Sequence, residues 1–150
     1  MKFKFNLEKV LSHRKTIENL AQIDFQEALA LLKAEEVVLE KMKSEIVEAR
    51  SKAYDIQTSN VMDQAPTRLQ QIFFFIKGQA QKIKIQESKI QNFEKLVESH
   101  REILRSRVTE SKILERLKHR KKSEFEKEQS RLEQIEVDDM NLIRLRLREK

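Results

Sequence analysis

Apolar positions recur every three and four residues from Leu7 to Ile56 and again from Leu69 to Leu142. That spacing draws one stripe along an α-helix, and a stripe kept up over so many turns is the seam of a coiled coil. One Gly and one Pro in 150 residues leave little to interrupt it. Pro66 stands between the two runs and marks the place where the chain folds back. The pattern predicts an all-α protein: a long antiparallel two-helix coiled-coil hairpin with a longer C-terminal arm. As a single unit over 1–150, it has helix 1 over about 3–59, a turn over about 60–66 and helix 2 over about 67–147.

Strict steps of three and four give a first seam of Leu7, Leu11, Arg14, Glu18, Ala21, Phe25, Ala28, Leu32, Glu35, Leu39, Met42, Ile46, Ala49, Ala53 and Ile56. The second opens at Leu69 and runs through Ile72, Ile76, Gln79, Ile83, Gln86, Ile90, Phe93, Val97, His100, Leu104, Arg107 and Ser111 to Leu114. Setting Ile56 opposite Leu69 fixes the remaining pairs by counting outward, because both helices rise equally per residue. Ala53 then faces Ile72, Ala49 faces Ile76, Ala28 faces Val97 and Ala21 faces Leu104, so small side chains meet large ones. Glu18 falls opposite Arg107, a charge pair in the seam that would fix register. A one-heptad slip is the rival register.

The arms are unequal. Leu7 meets Lys118 in this count, so residues from about 121 to 150 overhang, about 45 Å of helix without a partner. The stripe nevertheless continues there through Phe125, Leu132, Ile135 and Leu142. An unpaired apolar stripe of that length is a docking surface. Five consecutive apolar residues, Ile72-Phe-Phe-Phe-Ile76, pose a related problem, since a two-helix seam buries only two or three of five successive helical residues. Phe73, Phe74 and Phe75 either cover the turn and the side of helix 1 or form an exposed aromatic patch. Gly78, inside helix 2, weakens it and permits a bend or a close approach.

Composition narrows the function. Charged residues make up 37% and aromatics 6%, which suits a thin helical rod with one narrow buried line and no enclosed pocket. No Cys is present, and His13, His100 and His119 form neither a His-x-x-x-His pair nor a Glu-x-x-His arrangement, so no metal site and no cofactor are expected. With no Gly-rich phosphate loop and no Ser-His-Asp set, catalysis is not expected either. The longest apolar run, Ile72 to Ile76, is too short to span a bilayer, and the opening residues lack the apolar run of a secretion signal, so a cytoplasmic location without membrane insertion is expected.

The net charge of +6 lies entirely in the second run: residues 1–66 carry 10 Lys+Arg against 11 Asp+Glu, and 67–150 carry 21 against 14. The basic run Lys118-His-Arg-Lys-Lys122 is flanked by Glu115, Glu124, Glu126 and Glu128 and reads as a solvated helical face rather than a nucleic-acid site.

The opening pattern is Phe3-x-Phe5-x-Leu7-x-x-Val10-Leu11-x-x-Arg14-x-x-x-Glu18-x-x-Ala21-x-x-x-Phe25-x-x-Ala28. It resembles the N-terminal signature of the flagellar FliJ family, small coiled-coil proteins of the bacterial type III export apparatus. Leu69-Gln-Gln-Ile-Phe-Phe-Phe-Ile76, continuing to Ile83 and Gln86, is similar to that family's aromatic-rich start of the second helix. The resemblance implies a stalk-like hairpin that enters a hexameric export ATPase ring, contacts the transmembrane export gate and recycles export chaperones at the cytoplasmic face of the inner membrane. By that resemblance Phe3, Phe5, Leu7, Leu11 and Arg14, with Phe125, Leu132, Ile135, Leu142 and Leu145, would meet the ring. Phe73, Phe74, Phe75, Ile76 and Ala80 would meet the gate. The competing readings are a generic scaffold that homodimerises through its C-terminal arm, and a basic helical nucleic-acid binder.

Overall fold

The computed structural model of the chain describes residues 2–59 and 65–148, with side chains through residue 147. Two α-helices account for nearly all of them: α1 (Glu8–Thr58) and α2 (Ala65–Arg148), packed against each other as a hairpin, with no strand among the described residues. Residues 60–64 of the expected turn lie outside the described residues. Pro66 sits in the first turn of α2, where its missing N–H would have had no helical acceptor in any case.

Contacts divide the chain into two units, Met1–Leu20 with Arg105–Lys150, and Ala21–Leu104. In the second unit the core is a cluster of Ala28, Leu32, Ile90 and Val97, with Phe25, Leu29, Leu39 and Phe93 packed against it. Ala28 and Val97 are the small and large residues that counting outward from Ile56 and Leu69 sets opposite each other. Ala49 and Ala53 are buried likewise, and Ile72 and Ile76 are partly buried. Every expected seam position from Leu11 to Ile56 and from Leu69 to Leu114 is buried or partly buried.

Polar seam residues tie down the register. Gln79 donates its side-chain amide to Glu45 Oε2 at 2.5 Å. Gln86 Nε2 donates to the Glu35 backbone carbonyl at 3.1 Å and to Glu35 Oε2 at 2.6 Å, while Lys89 Nζ donates to Oε1 at 2.7 Å. A one-heptad slip would move each of these partners about 10 Å along the axis and break all of them. Buried amides that satisfy a carboxylate in one register and none in the next specify pairing more sharply than methyl groups do. Arg101 over the Phe25 ring and Lys89 over the Phe93 ring, each 5.9 Å from the centroid, cover the flanks.

The first unit departs from expectation in two places. Glu18 and Arg107 do not pair; Arg107 reaches Glu110, one turn along its own helix, at 3.4 Å, and Arg14 crosses to the same Glu110 carboxylate. Long guanidinium side chains leave the seam to meet a carboxylate on its rim, where water still solvates the charges. Lys15 with Glu115 at 2.5 Å and Lys118 with Glu8 at 2.8 Å continue this rim.

Residues 2–5 are not helical, and α1 begins five residues later than expected. The Glu8 N–H donates to the Phe5 carbonyl at 3.2 Å, closing a turn through Asn6 and Leu7. Extended chain covers about 3.3 Å per residue against 1.5 Å in a helix. The N-terminal strap therefore reaches Phe125, where a helical Phe3 would lie near Lys122. Phe3 and Phe125 meet with centroids 5.7 Å apart, which shortens the expected overhang.

Gly78 has helical backbone, and a Cβ built there meets nothing within 4 Å. No close approach requires the glycine. Gly78→Ala should therefore stabilise the protein by about 0.5–1 kcal/mol, read from the denaturant midpoint. A second expectation concerns Glu35, whose carboxyl is held below the ordinary carboxylate range by the hydrogen bond from Lys89 and then by that from Gln86. A depressed folded value contributes stability that is full above the unfolded value of about 4.3 and is lost as pH falls through the folded one. Glu35→Gln should unfold more easily than the parent at pH 6, with the gap between the two closing towards pH 3.

Candidate partner-binding surfaces

No group of three or more His, Cys, Asp or Glu is placed to hold a metal ion among the described residues. No helix among them is long and apolar enough to cross a membrane. Two surfaces stand out.

The first lies at the termini. Phe5 and Leu11 are buried, Phe3 and Phe125 partly buried, and Leu7 sits at the rim with 38% exposure. Phe3, Phe5, Leu7, Leu117 and Phe125 line a groove of about 620 Å³ with Lys4, Lys121 and Glu124 at its mouth. Arg14 is engaged with Glu110. The structure thus brings Phe3, Phe5 and Phe125 together as a packed cap. The sequence carried a signal for the extended strap, though not for its contact with Phe125: Phe3-x-Phe5 has the two-residue period of an extended segment and not the period of a helix.

Beyond the cap the arm has no cover. Every residue from Arg131 to Leu147 is exposed, including Leu132, Ile135, Val137, Met140, Leu142, Ile143, Leu145 and Leu147. Large apolar side chains thus stand uncovered along this stretch of helix among the described residues. The cap and the arm are therefore different in kind: one is satisfied internally, the other is not.

The second surface is at the start of α2. Ile72 and Ile76, four residues apart, take the seam, and Phe73, Phe74 and Phe75 are left 55%, 66% and 46% exposed. Successive helical residues diverge by about 100°, so the three rings do not form one patch. Phe73 and Phe74 border a shallow groove with Pro66, Leu69, Gln70 and Lys77. Phe75 borders another with Glu45, Glu48, Ala49, Lys52 and Ile72. Ala80 is exposed and lies two turns from Phe73 on its side of the helix. The five residues expected together are thus divided: Phe73, Phe74 and Ala80 on one flank, Phe75 on the other, Ile76 partly in the seam.

The basic run is largely neutralised locally. Lys118 pairs with Glu8, Lys121 and Arg120 with Glu124, and Lys122 with Glu126. The Lys121 hydrogen bond, reinforced by its charge, holds the Glu124 carboxyl below its ordinary range. This arrangement gives the run the character of a solvated, charge-balanced face.

No curated protein and no solved structure gives a significant match, whereas the family model described as the flagellar FliJ protein matches residues 3–150. With a match over essentially the whole length, this chain belongs to the flagellar FliJ protein family and is a component of the flagellar export apparatus.

Proposed function

We propose that the protein is a non-catalytic adaptor of the export apparatus, binding the hexameric export ATPase ring through its terminal unit and the transmembrane export gate through the flank carrying Phe73 and Phe74. The observation that carries this reading is the uncovered apolar arm from Leu132 to Leu147, next to a terminal cap that packs upon itself. A helix with unpaired apolar side chains gains binding free energy by entering a groove between other subunits. Lodged there, it biases the ring mechanically, because it contacts each subunit state differently and so shifts which sites are open. The Phe73 and Phe74 flank supports the gate contact through exposed aromatics, the side-chain type that most often anchors an interface. Recycling of export chaperones belongs to the same reading, as does a position at the cytoplasmic face of the membrane.

Titrating the export ATPase with this protein should raise both its steady-state rate and its light-scattering mass, saturating near one chain per six ATPase subunits. Leu132→Glu with Ile135→Glu should abolish the rise while leaving far-UV circular dichroism nearly unchanged, because both side chains are exposed. A flat titration with the parent protein would overturn the ring contact. Separately, Phe73→Ala with Phe74→Ala should weaken binding to the gate's cytoplasmic domain by about tenfold or more, with a melting temperature within a few degrees of the parent. A large fall in melting temperature with unchanged affinity would make these rings structural instead.

A further inference from the structure

The apolar face of the arm carries its own charges in a particular order. Continuing the α2 seam past Phe125 by threes and fours gives Glu128, Leu132, Ile135, Asp139, Leu142 and Arg146. Asp139 and Arg146 are seven residues apart at the same heptad position, with Leu142 between them. Around them Glu133, Glu136, Asp138 and Asp139 form an acidic block, followed by Arg144 and Arg146. All are exposed, and among the described residues the arm's ion pairs end at Glu128 with Arg131. Asp139 followed seven residues on by Arg146 makes that face complementary to itself turned end for end.

We infer that the arm pairs with the arm of a second copy of this chain, antiparallel, about a two-fold axis near Met140 and Asn141. In that register Ile135 faces Arg146 of the second copy and Asp139 faces its Leu142, as positions alternate in any antiparallel seam. The Asp139 carboxylate of each chain lies one seam layer, about 6 Å along the axis, from the Arg146 guanidinium of the other. The hairpin itself spans such a step, where Gln86 reaches Glu35 from the neighbouring layer. Two-fold symmetry makes two such ion pairs. Parallel pairing would instead put Asp139 on Asp139 and Arg146 on Arg146, which like-charge repulsion disfavours. An anionic membrane surface would be repelled by the four carboxylates that share the arm with the arginines. The inference needs no ATPase and stands apart from the ring reading, although the same face would serve both, so self-pairing would compete with ring entry.

The interface is short and partly polar, so association is expected in the micromolar range. Sedimentation equilibrium of the full chain from about 1 to about 300 μM should show a monomer–dimer equilibrium. Asp139→Arg and Arg146→Asp should each weaken it about tenfold or more, and the double exchange should restore it to within about threefold of the parent, with helicity unchanged throughout. The chain has no Cys, so Ser130→Cys takes a single spin label. Labels on two antiparallel arms lie about 30 Å apart along the axis, and on parallel arms side by side. A monomer over the whole range would overturn the inference, and its co-sedimentation with anionic vesicles would then assign the arm to a membrane surface. A dimer with labels side by side, or one that neither single exchange weakens or the double exchange fails to restore, would overturn it as well.

Discussion

A pair of helices can bury only one line of side chains from each partner, and that constraint governs this protein. With no third element among the described residues to cover other faces, the seam must supply nearly all the packing and also state which residue faces which. Alanines opposite larger residues keep the helices close enough for contact, as with Ala28 and Val97. Aliphatic contacts alone would tolerate a slip of one heptad. The amides of Gln79 and Gln86, each committed to a glutamate across the seam, make the slipped registers costly by leaving buried donors unpaired.

The same constraint explains what remains outside. Apolar residues beyond the one line have nowhere to go within the chain, and they gather at two places. Phe73 to Phe75 surround two seam isoleucines, and the arm beyond Phe125 runs past the end of its partner helix. In a larger globular protein such side chains would be absorbed by a core. Here they stay available to other chains, which is the physical basis for reading an export-apparatus component as an adaptor.

Most of the fold was legible because coiled-coil period, helix breakers and length are local properties. The seam from Leu11 to Leu114 and its pairing followed from steps of three and four and one choice of origin at Ile56 and Leu69. Long polar side chains were less predictable. Arg14 and Arg107 stand at seam positions, yet both meet Glu110 on the rim, since several rotatable bonds let a charge find water and a partner away from its Cβ. The start of α1 was missed for a different reason: a heptad count continues through Leu7 whether or not the backbone does, and only the two-residue spacing of Phe3 and Phe5 hints at extended chain.

The sequence by itself determined two helices, their facing lines and the surplus of apolar residues at the arm and at the start of α2, because each is a matter of periodicity along one element. Only the tertiary structure decided that Phe3 closes onto Phe125, that Arg107 meets Glu110 rather than Glu18, and that Arg14 crosses to the same carboxylate. Those outcomes depend on distances between segments about a hundred residues apart and on rotamer choices among near-equal alternatives, which no repeat along the chain encodes.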